Sequence, residues 1–224
     1  MVLTASRAVE FERLPDYRDE ITTQADRVRW LKIPLRRYLM IDGTDEPGAP
    51  GFRDAIGTLY PVAYTLHFAL KRRGIQVPVG ALEGIYWLEA GTPMTPAQFS
   101  DRELQPGSMS WRLLLPVPAE ATDEDFTSAI DEVFHKKRPP LLDQLRCEEW
   151  LEGEVAQVMH IGPYDAEAPT MERLHHAIEE AGLRARGCHH EIYISDPGRT
   201  APDRLKTLIR QPVEPGEPRE PPAG

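Results

Sequence analysis

The 224-residue sequence predicts an α+β fold made of a tandem, pseudo-symmetric repeat of two units, each in the order strand, helix, strand, strand. Each half of the chain contains an amphipathic helical pattern that follows an apolar strand and a turn rich in Gly, Pro and Asp, and Arg-Pro-Pro at 138–140 separates the halves. Two such units can join into a mostly antiparallel, curved sheet with the helices on one face and a ligand cleft on the other. The predicted boundaries are an N-terminal arm at 1–30, a domain at 31–213 with repeats at about 31–138 and 141–213, and a disordered tail at 214–224.

The first unit begins with a predicted strand at 36–43 that ends in a turn. Apolar residues from Phe52 to Leu70 then recur at helical spacing, and Gly74 follows the end of the helix. Pro61 lies inside this helix and should kink or restart it, because proline has no amide hydrogen to donate. The unit is completed by strands at 82–88 and 109–117 and by a helix at 123–137 with Thr122 as its N-cap.

The second unit repeats the order of the first. Its predicted elements are strands at 145–150 and 154–161, a helix from Pro169 to Gly182, a strand around Glu191 and a strand at 205–213. When the halves are aligned, Ile85-Tyr86-Trp87 corresponds to Ile192-Tyr193-Ile194. Tyr86 and Tyr193 are therefore expected to face each other across the cleft.

The charge and composition argue against nucleic acids and membranes as partners. The formal net charge is −10, which argues against a nucleic acid or an anionic membrane as partner. No apolar segment approaches the roughly 20 residues that a membrane span needs. Cys147 and Cys188 form no disulfide framework, so a reducing cytoplasm is the expected location. The polar arm is expected to pack loosely or to help a homodimer form.

The strand that contains Glu191 has the alternation of a half-buried strand, with Ile192 and Ile194 on one face and Glu191 and Tyr193 on the other. A carboxylate beside a phenol is a suitable floor for a site that binds flat or cationic organic molecules. An ordinary sheet edge with a solvated glutamate and a packed tyrosine explains the same pattern. The alternation alone leaves both interpretations open.

Two histidine-containing clusters, His175-His176 and Cys188-His189-His190-Glu191, contain residue types that bind metals. Adjacent residues in a strand point to opposite faces, and neither cluster has a zinc-ligand spacing. The sequence also contains no nucleophile elbow and no glycine-rich phosphate loop. We therefore expect neither a metal nor a cofactor.

Five segments resemble the GyrI-like small-molecule-binding family: 52–60, 82–87, 159–164, 189–197 and 201–210. They occur in order between about Leu31 and Val213 and are most similar to the stand-alone branch of the family, which has no fused DNA-binding domain. The resemblance implies a tandem repeat with a ligand cleft. It also implies detoxification by hydrolysis of the strained cyclopropane in duocarmycin-like compounds, as in some stand-alone members. The alternatives within the family are binding or sequestration of amphipathic or cationic drugs without chemistry, and an interaction protein of the gyrase-inhibitor type.

The resemblance assigns roles to individual residues. Glu191 corresponds to the cleft carboxylate and would act as general base on a water, while Tyr193 or Tyr86 would donate a hydrogen bond to the developing phenolate. Either Tyr86, with Gly84, or Glu83, with Trp87, faces the cleft, because the two pairs lie on opposite faces of one strand. The further expected ligand contacts are Trp87, Trp111, His160 and Tyr164. A core role for the two tryptophans is an open alternative, and for His160 a hydrogen-bonded structural role is the preferred one.

Overall fold

The computed structural model describes residues 9–88 and 109–216. Its strands are β1 (Arg29–Gly43), β2 (Leu82–Leu88), β3 (Met109–Pro116), β4 (Arg146–Ile161), β5 (Leu183–Ala185), β6 (His190–Tyr193) and β7 (Lys206–Pro215). Its α-helices are α1 (Tyr17–Glu20), α2 (Pro50–Arg72), α3 (Asp123–Lys136) and α4 (Ala168–Glu180). Single turns of 3₁₀ helix occur at Leu142–Gln144, Tyr164–Ala166 and Pro202–Arg204.

The strands form one antiparallel sheet that closes on itself. The order is β4-β1-β3-β2-β6-β7-β5, and β7 also pairs with the second half of β4, where Val158 lies opposite Ile209. This additional pairing joins the two ends of the main sheet and gives it a barrel-like shape. The fold is α+β and antiparallel, as the sequence predicts.

Apolar side chains fill both sides of this sheet. On the outer side, α2 and α3 pack over strands β1 and β3, and α4 packs over β4 and β7. The barrel interior contains a second set of apolar residues that includes Tyr38, Met40 and Leu114 at one end and Met159, Ile192 and Leu208 at the other. No helix in the described ranges is long and apolar enough to span a membrane.

Strand β4 is one continuous strand, where the sequence predicts two. Gly153 lies at the expected break with a φ of 79°, a value that glycine adopts without a steric penalty. On either side of this residue, Glu152 and Gln157 both contact Arg210 inside the barrel. In a regular strand, residues five apart point to opposite faces. The unusual backbone at Gly153 shifts the alternation, so that side chains from both halves of β4 point into the barrel.

The helices begin and end close to the predicted positions. Thr122 caps α3 through a capping box with Asp125, in which each side chain binds the other residue's backbone N–H. Helix α2 continues from Pro50 to Arg72 with Pro61 inside it, so the proline does not divide the helix.

The described part of the N-terminal arm is firmly packed, contrary to the expectation of loose packing. The Tyr17 hydroxyl donates to Glu83 over 2.8 Å, and Glu20, which is 2% exposed, accepts two hydrogen bonds from Arg36 at 2.8 and 2.9 Å. The Gln157 amide donates to the Glu20 carbonyl over 2.6 Å. These bonds tie α1 to polar groups of the barrel strands.

Candidate functional site

A cavity of about 1350 Å³ lies over the outer face of β2 and β6. Its walls include Phe52, Ile56 and Tyr60 of α2, and its floor includes Tyr86, Glu191 and Tyr193. The sequence predicts helices on one face of the sheet and the cleft on the other. This arrangement is wrong, because the cleft lies on the face that α2 covers.

Glu191 occupies the centre of a hydrogen-bonded chain on this floor. It is 6% exposed, its Oε2 accepts a hydrogen bond from the Tyr193 hydroxyl over 2.8 Å, and its Oε1 lies 3.2 Å from Nε2 of His189. The Tyr86 hydroxyl contacts the Tyr193 hydroxyl in turn. A phenol has one hydrogen, and that of Tyr193 goes to Glu191, so Tyr86 is the donor in the second contact.

Gly84 makes this chain geometrically feasible. In the sheet Gly84 lies directly opposite Glu191, and the ring of Tyr86 folds back across it. A β-carbon at position 84 would lie 2.7 Å from the Tyr86 hydroxyl oxygen. Only glycine leaves room for the phenol to reach Tyr193. Burial raises the pKa of Tyr86 and of Tyr193, so both phenols stay protonated.

Glu167 is a second carboxyl in the cleft, and it is not among the site residues expected from the sequence. It precedes α4, lines the cavity and is 3% exposed. Its carboxyl interacts electrostatically with Glu191, and its Oε1 is buried without a hydrogen-bond partner among the described residues. Burial and the Glu191 charge raise the pKa of Glu167 from 4.5 to about 10. At neutral pH Glu167 is therefore a neutral acid beside Glu191.

The one signal for Glu167 in the sequence is ambiguous. An acidic residue directly before a helix with proline in its first turn is normally interpreted as a cap that satisfies the first amides. In the structure the Glu167 side chain makes no capping hydrogen bond to α4. Its approach to Glu191 depends on the packing of α4 against the sheet.

The cavity is lined by aromatic and acidic side chains. Tyr164 packs edge-on against Tyr193 with ring centroids 5.7 Å apart, and Tyr60 and Tyr64 of α2 stack at 6.1 Å. Arg53 is the basic residue of this lining. The acidic residues of the lining are Asp45, Glu46, Asp165, Glu167, Glu191 and Asp196.

Two of the expected ligand contacts face away from the cleft. Glu83 is fully buried inside the barrel, where its Oε2 lies 2.9 Å from Nε2 of His190. Trp87 lies on the same face of the strand as Glu83. The Cζ atom of Arg112 lies 6.0 Å from the centroid of the Trp87 ring. Strand β2 therefore presents Tyr86 to the cavity, and Glu83 and Trp87 are left out of the proposed site.

Trp111 and His160 are close to the cavity but do not line it. Trp111 is 1% exposed, donates its Nε1–H to the Asp45 carbonyl over 2.7 Å and packs against Phe52. His160 lies 3.1 Å from the Thr170 hydroxyl, and burial lowers its pKa. Both residues hold the elements around the cleft, which is a structural role.

Behind Glu191, the barrel interior contains a group of paired charges. The ring of His190 lies between Glu83 and Glu152, at 2.9 and 3.0 Å, and Arg210 donates to Glu152 over 2.9 Å. Despite burial, His190 and Arg210 lower the pKa of Glu152 to about 2, and Glu152 and Glu83 raise that of His190 to about 9. His190 is therefore a charged group that fixes β6 from the side opposite the cleft.

The described residues contain no group of three or more His, Cys, Asp or Glu side chains placed to hold a metal ion. His189 and His190 point to opposite sides of β6, toward Glu191 and toward the barrel interior. The two histidines of the Cys-His-His-Glu sequence therefore lie in different environments, one at the cleft floor and one inside the barrel.

A closed antiparallel sheet with a large aromatic and acidic cleft defines a small-molecule-binding domain. Residues 114–214 match the family model described as the GyrI-like small molecule binding domain. This is the family that the sequence segments resemble, so the resemblance is confirmed.

Solved structures from Listeria innocua are similar over most of the chain. An uncharacterized conserved protein is 26% identical, with a TM-score of 0.78 over 88% of this chain and 97% of its own. A protein described as a hydrolase is 25% identical, with a TM-score of 0.74 over 88% of this chain and 96% of its own. A hydrolase structure at 27% identity has a TM-score of 0.73 over 92% of this chain and 100% of its own. Comparison with curated proteins finds no match.

Proposed function

We propose that this protein binds bulky, planar aromatic electrophiles in the cleft and detoxifies them by hydrolysis, with the activated cyclopropane of duocarmycin-like compounds as substrate. The observation that carries the proposal is the pair of buried carboxyls at the floor of an aromatic cavity, in which Glu167 holds a proton beside Glu191. A base and an acid at one site are what hydrolytic ring opening requires. The similarity to proteins described as hydrolases supports a hydrolytic reaction.

In the proposed reaction, Glu191 accepts a proton from a water whose oxygen bonds to the ring methylene. The cyclopropane C–C bond breaks, and its electron pair moves through the conjugated dienone to the carbonyl oxygen. That oxygen takes the proton of Glu167, so the product is a phenol that contains one added water. The Glu191 proton then returns to Glu167, the neighbouring carboxyl of the cleft, which restores the pair.

The phenols have a different role from the one that the family resemblance implies. The single hydrogen of Tyr193 is donated to Glu191 and that of Tyr86 to Tyr193, so neither is directed at a substrate oxygen. We assign Tyr193 and Tyr86 to holding and stabilising the Glu191 carboxylate, and the donor role to Glu167. Tyr60 and Tyr164 provide aromatic walls for a planar ligand.

The test is incubation with a cyclopropane-bearing duocarmycin analogue followed by mass spectrometry. The wild type should add one water, and Glu191→Gln and Glu167→Gln should each abolish the addition. Glu172→Gln, an exposed acid on α4, is the matched control and should keep full activity. Full activity in Glu191→Gln would exclude Glu191 as the base.

The second candidate is binding or sequestration of amphipathic, cationic compounds without turnover. The observation that favours it is the lining charge, since the described lining has five acidic residues besides the neutral Glu167 and only Arg53 as a basic residue. Carboxylates and tyrosine faces attract organic cations, and both are present whether or not chemistry follows. An unchanged analogue that raises the melting temperature of the wild type would support this candidate over hydrolysis.

A further inference from the structure

A ladder of three aromatic rings leads out of the cleft along α2. Tyr60, Tyr64 and Phe68 are spaced four residues apart, with successive ring centroids 6.1 and 6.4 Å apart and interplanar angles of 29° and 28°. Tyr60 and Tyr64 line the cleft, whereas Tyr64 and Phe68 are 49% and 50% exposed. The rings therefore form a continuous path from the cavity to the surface.

A second cavity of about 520 Å³, here called the outer groove, lies along this ladder. It shares Ile56, Tyr60 and Tyr64 with the cleft, so the two cavities are adjacent parts of one surface. The residues that line only the outer groove are Gly57, Pro61, Thr65, Phe68 and Lys137.

The floor of the outer groove contains an unusual section of helix. Pro61 has no N–H, so the carbonyl of Gly57, four residues earlier, lacks its helical donor. A β-carbon at position 57 would meet no atom within 4 Å, so the helix surface beside Gly57 is open. The groove thus combines a flat aromatic side with an open stretch of helix surface.

We propose that the outer groove is a second aromatic subsite, which takes the distal unit of an elongated ligand made of linked planar units. This inference rests on the proposed function of the cleft, where the proximal unit binds. The distal unit stacks on Tyr64 and Phe68 and lies against the open helix surface at Gly57. Lys137 is the charged residue of the groove lining, so the distal end of the ligand is neutral or anionic while the acidic cleft holds the electrophilic or cationic end.

A purely structural role for these residues accounts for only part of the pattern. Aromatic side chains four residues apart give a helix a small stabilisation, which would explain the stacked rings. Glycine and proline inside a helix both destabilise it, and Gly57 and Pro61 lie at the floor of the same groove. A binding surface that needs open space beside the aromatic rings explains both the ladder and Gly57.

The test compares two fluorescent probes, a head-to-tail bis-benzimidazole dye and its single-benzimidazole counterpart. Phe68→Ala should weaken binding of the long dye roughly fivefold, the range expected for one aromatic pair, and should leave the short dye within about twofold. Phe134→Ala is the matched control, because Phe134 is also 50% exposed but lines neither cavity. It should leave both dissociation constants unchanged.

Gly57→Ala separates binding from folding. Alanine in the open space should raise the melting temperature, since it is the better helix former, and should still weaken the long dye by obstructing the groove. If the short dye binds and neither Phe68→Ala nor Gly57→Ala affects the long dye, the outer subsite is wrong and the cleft stands. If neither dye binds the wild type, aromatic binding in the cleft is overturned together with the subsite.

Discussion

The carboxyl pair of Glu167 and Glu191 is the feature that most constrains the chemistry at the residue scale. Both groups are buried, and they differ in their surroundings, because the Tyr193 hydroxyl donates to Glu191 whereas Oε1 of Glu167 has no partner among the described residues. Burial and the neighbouring Glu191 charge both favour the neutral form of Glu167. These surroundings support the proposed roles of Glu191 as base and Glu167 as acid.

The first prediction concerns the pH dependence that Glu167 confers. Its folded pKa, about 10, exceeds its ordinary value of 4.5, so its contribution to stability is greatest below about pH 4.5 and is lost as the pH rises toward 10. Glu167→Gln is neutral at every pH and should become more stable relative to wild type as the pH rises from 6 to 9. Urea denaturation at both pH values measures this. An identical slope in the two proteins would show that Glu167 is ionised in the folded state.

The second prediction concerns the hydrogen bond between Tyr193 and Glu191. Tyr193→Phe removes a donor to a charged acceptor, which is worth about 1.5–3 kcal/mol, so kcat/KM for the cyclopropane substrate should fall roughly 10- to 100-fold. Tyr164→Phe is the control, since Tyr164 lines the cleft and packs on the Tyr193 ring but is not part of this chain. Equal losses in the two variants would contradict a specific role for the Tyr193 hydroxyl.

At the scale of elements, α2 connects the core to the cleft. One face of it packs Leu59, Val62 and Leu66 into the core, and another carries the aromatic ladder. The helix remains continuous at Pro61 because this packing compensates for the missing hydrogen bond. Tertiary burial here outweighs a strong local preference.

The third prediction tests that balance. Pro61→Ala restores an N–H to the Gly57 carbonyl and should stabilise the protein by up to about 3 kcal/mol, the usual cost of proline inside a helix. Thermal denaturation measures the effect. A lower melting temperature would mean that the proline ring itself is needed for packing.

At the scale of the whole molecule, the barrel is held by charges as well as by apolar packing. Among the described residues, its interior pairs acidic with basic side chains: Glu20, Glu83 and Glu152 with Arg36, His190 and Arg210. They come from the arm and from strands β1, β2, β4, β6 and β7. The cluster is neutral as a whole, so removal of one member leaves an unpaired buried charge.

The fourth prediction follows from two pKa shifts in this cluster. Glu152, lowered to about 2, contributes stability above about pH 4.5 that is lost as the pH falls toward 2. His190, raised to about 9, contributes stability below about pH 6.5 that is lost as the pH rises toward 9. The stability that Glu152 and His190 together contribute should therefore be greatest between about pH 4.5 and 6.5. Glu152→Gln should cost about 3–5 kcal/mol at pH 6 by urea denaturation, and a cost below 1 kcal/mol would contradict the pairing.

Much of the local structure could be predicted because local rules govern it. The span of β2, the end of α3 near the Arg-Pro-Pro sequence and the N-cap at Thr122 follow from alternation, helical spacing and capping, and the structure confirms them. The family could also be identified from short segments. In these cases the determining residues are near neighbours in the chain.

The closure of the sheet, the position of the cleft and the partner of Glu191 were decided by the tertiary structure. The pairing of β4 with β7, the packing of α2 over the face that contains Tyr86, and the approach of Glu167 to Glu191 all join segments distant in the chain. Alternation places Glu191 and Tyr193 on one side of a strand but does not determine what covers that side. The sequence by itself therefore determined the elements and one carboxylate of the site, whereas burial and long-range pairing decided which face became the cleft and made a neutral acid of Glu167.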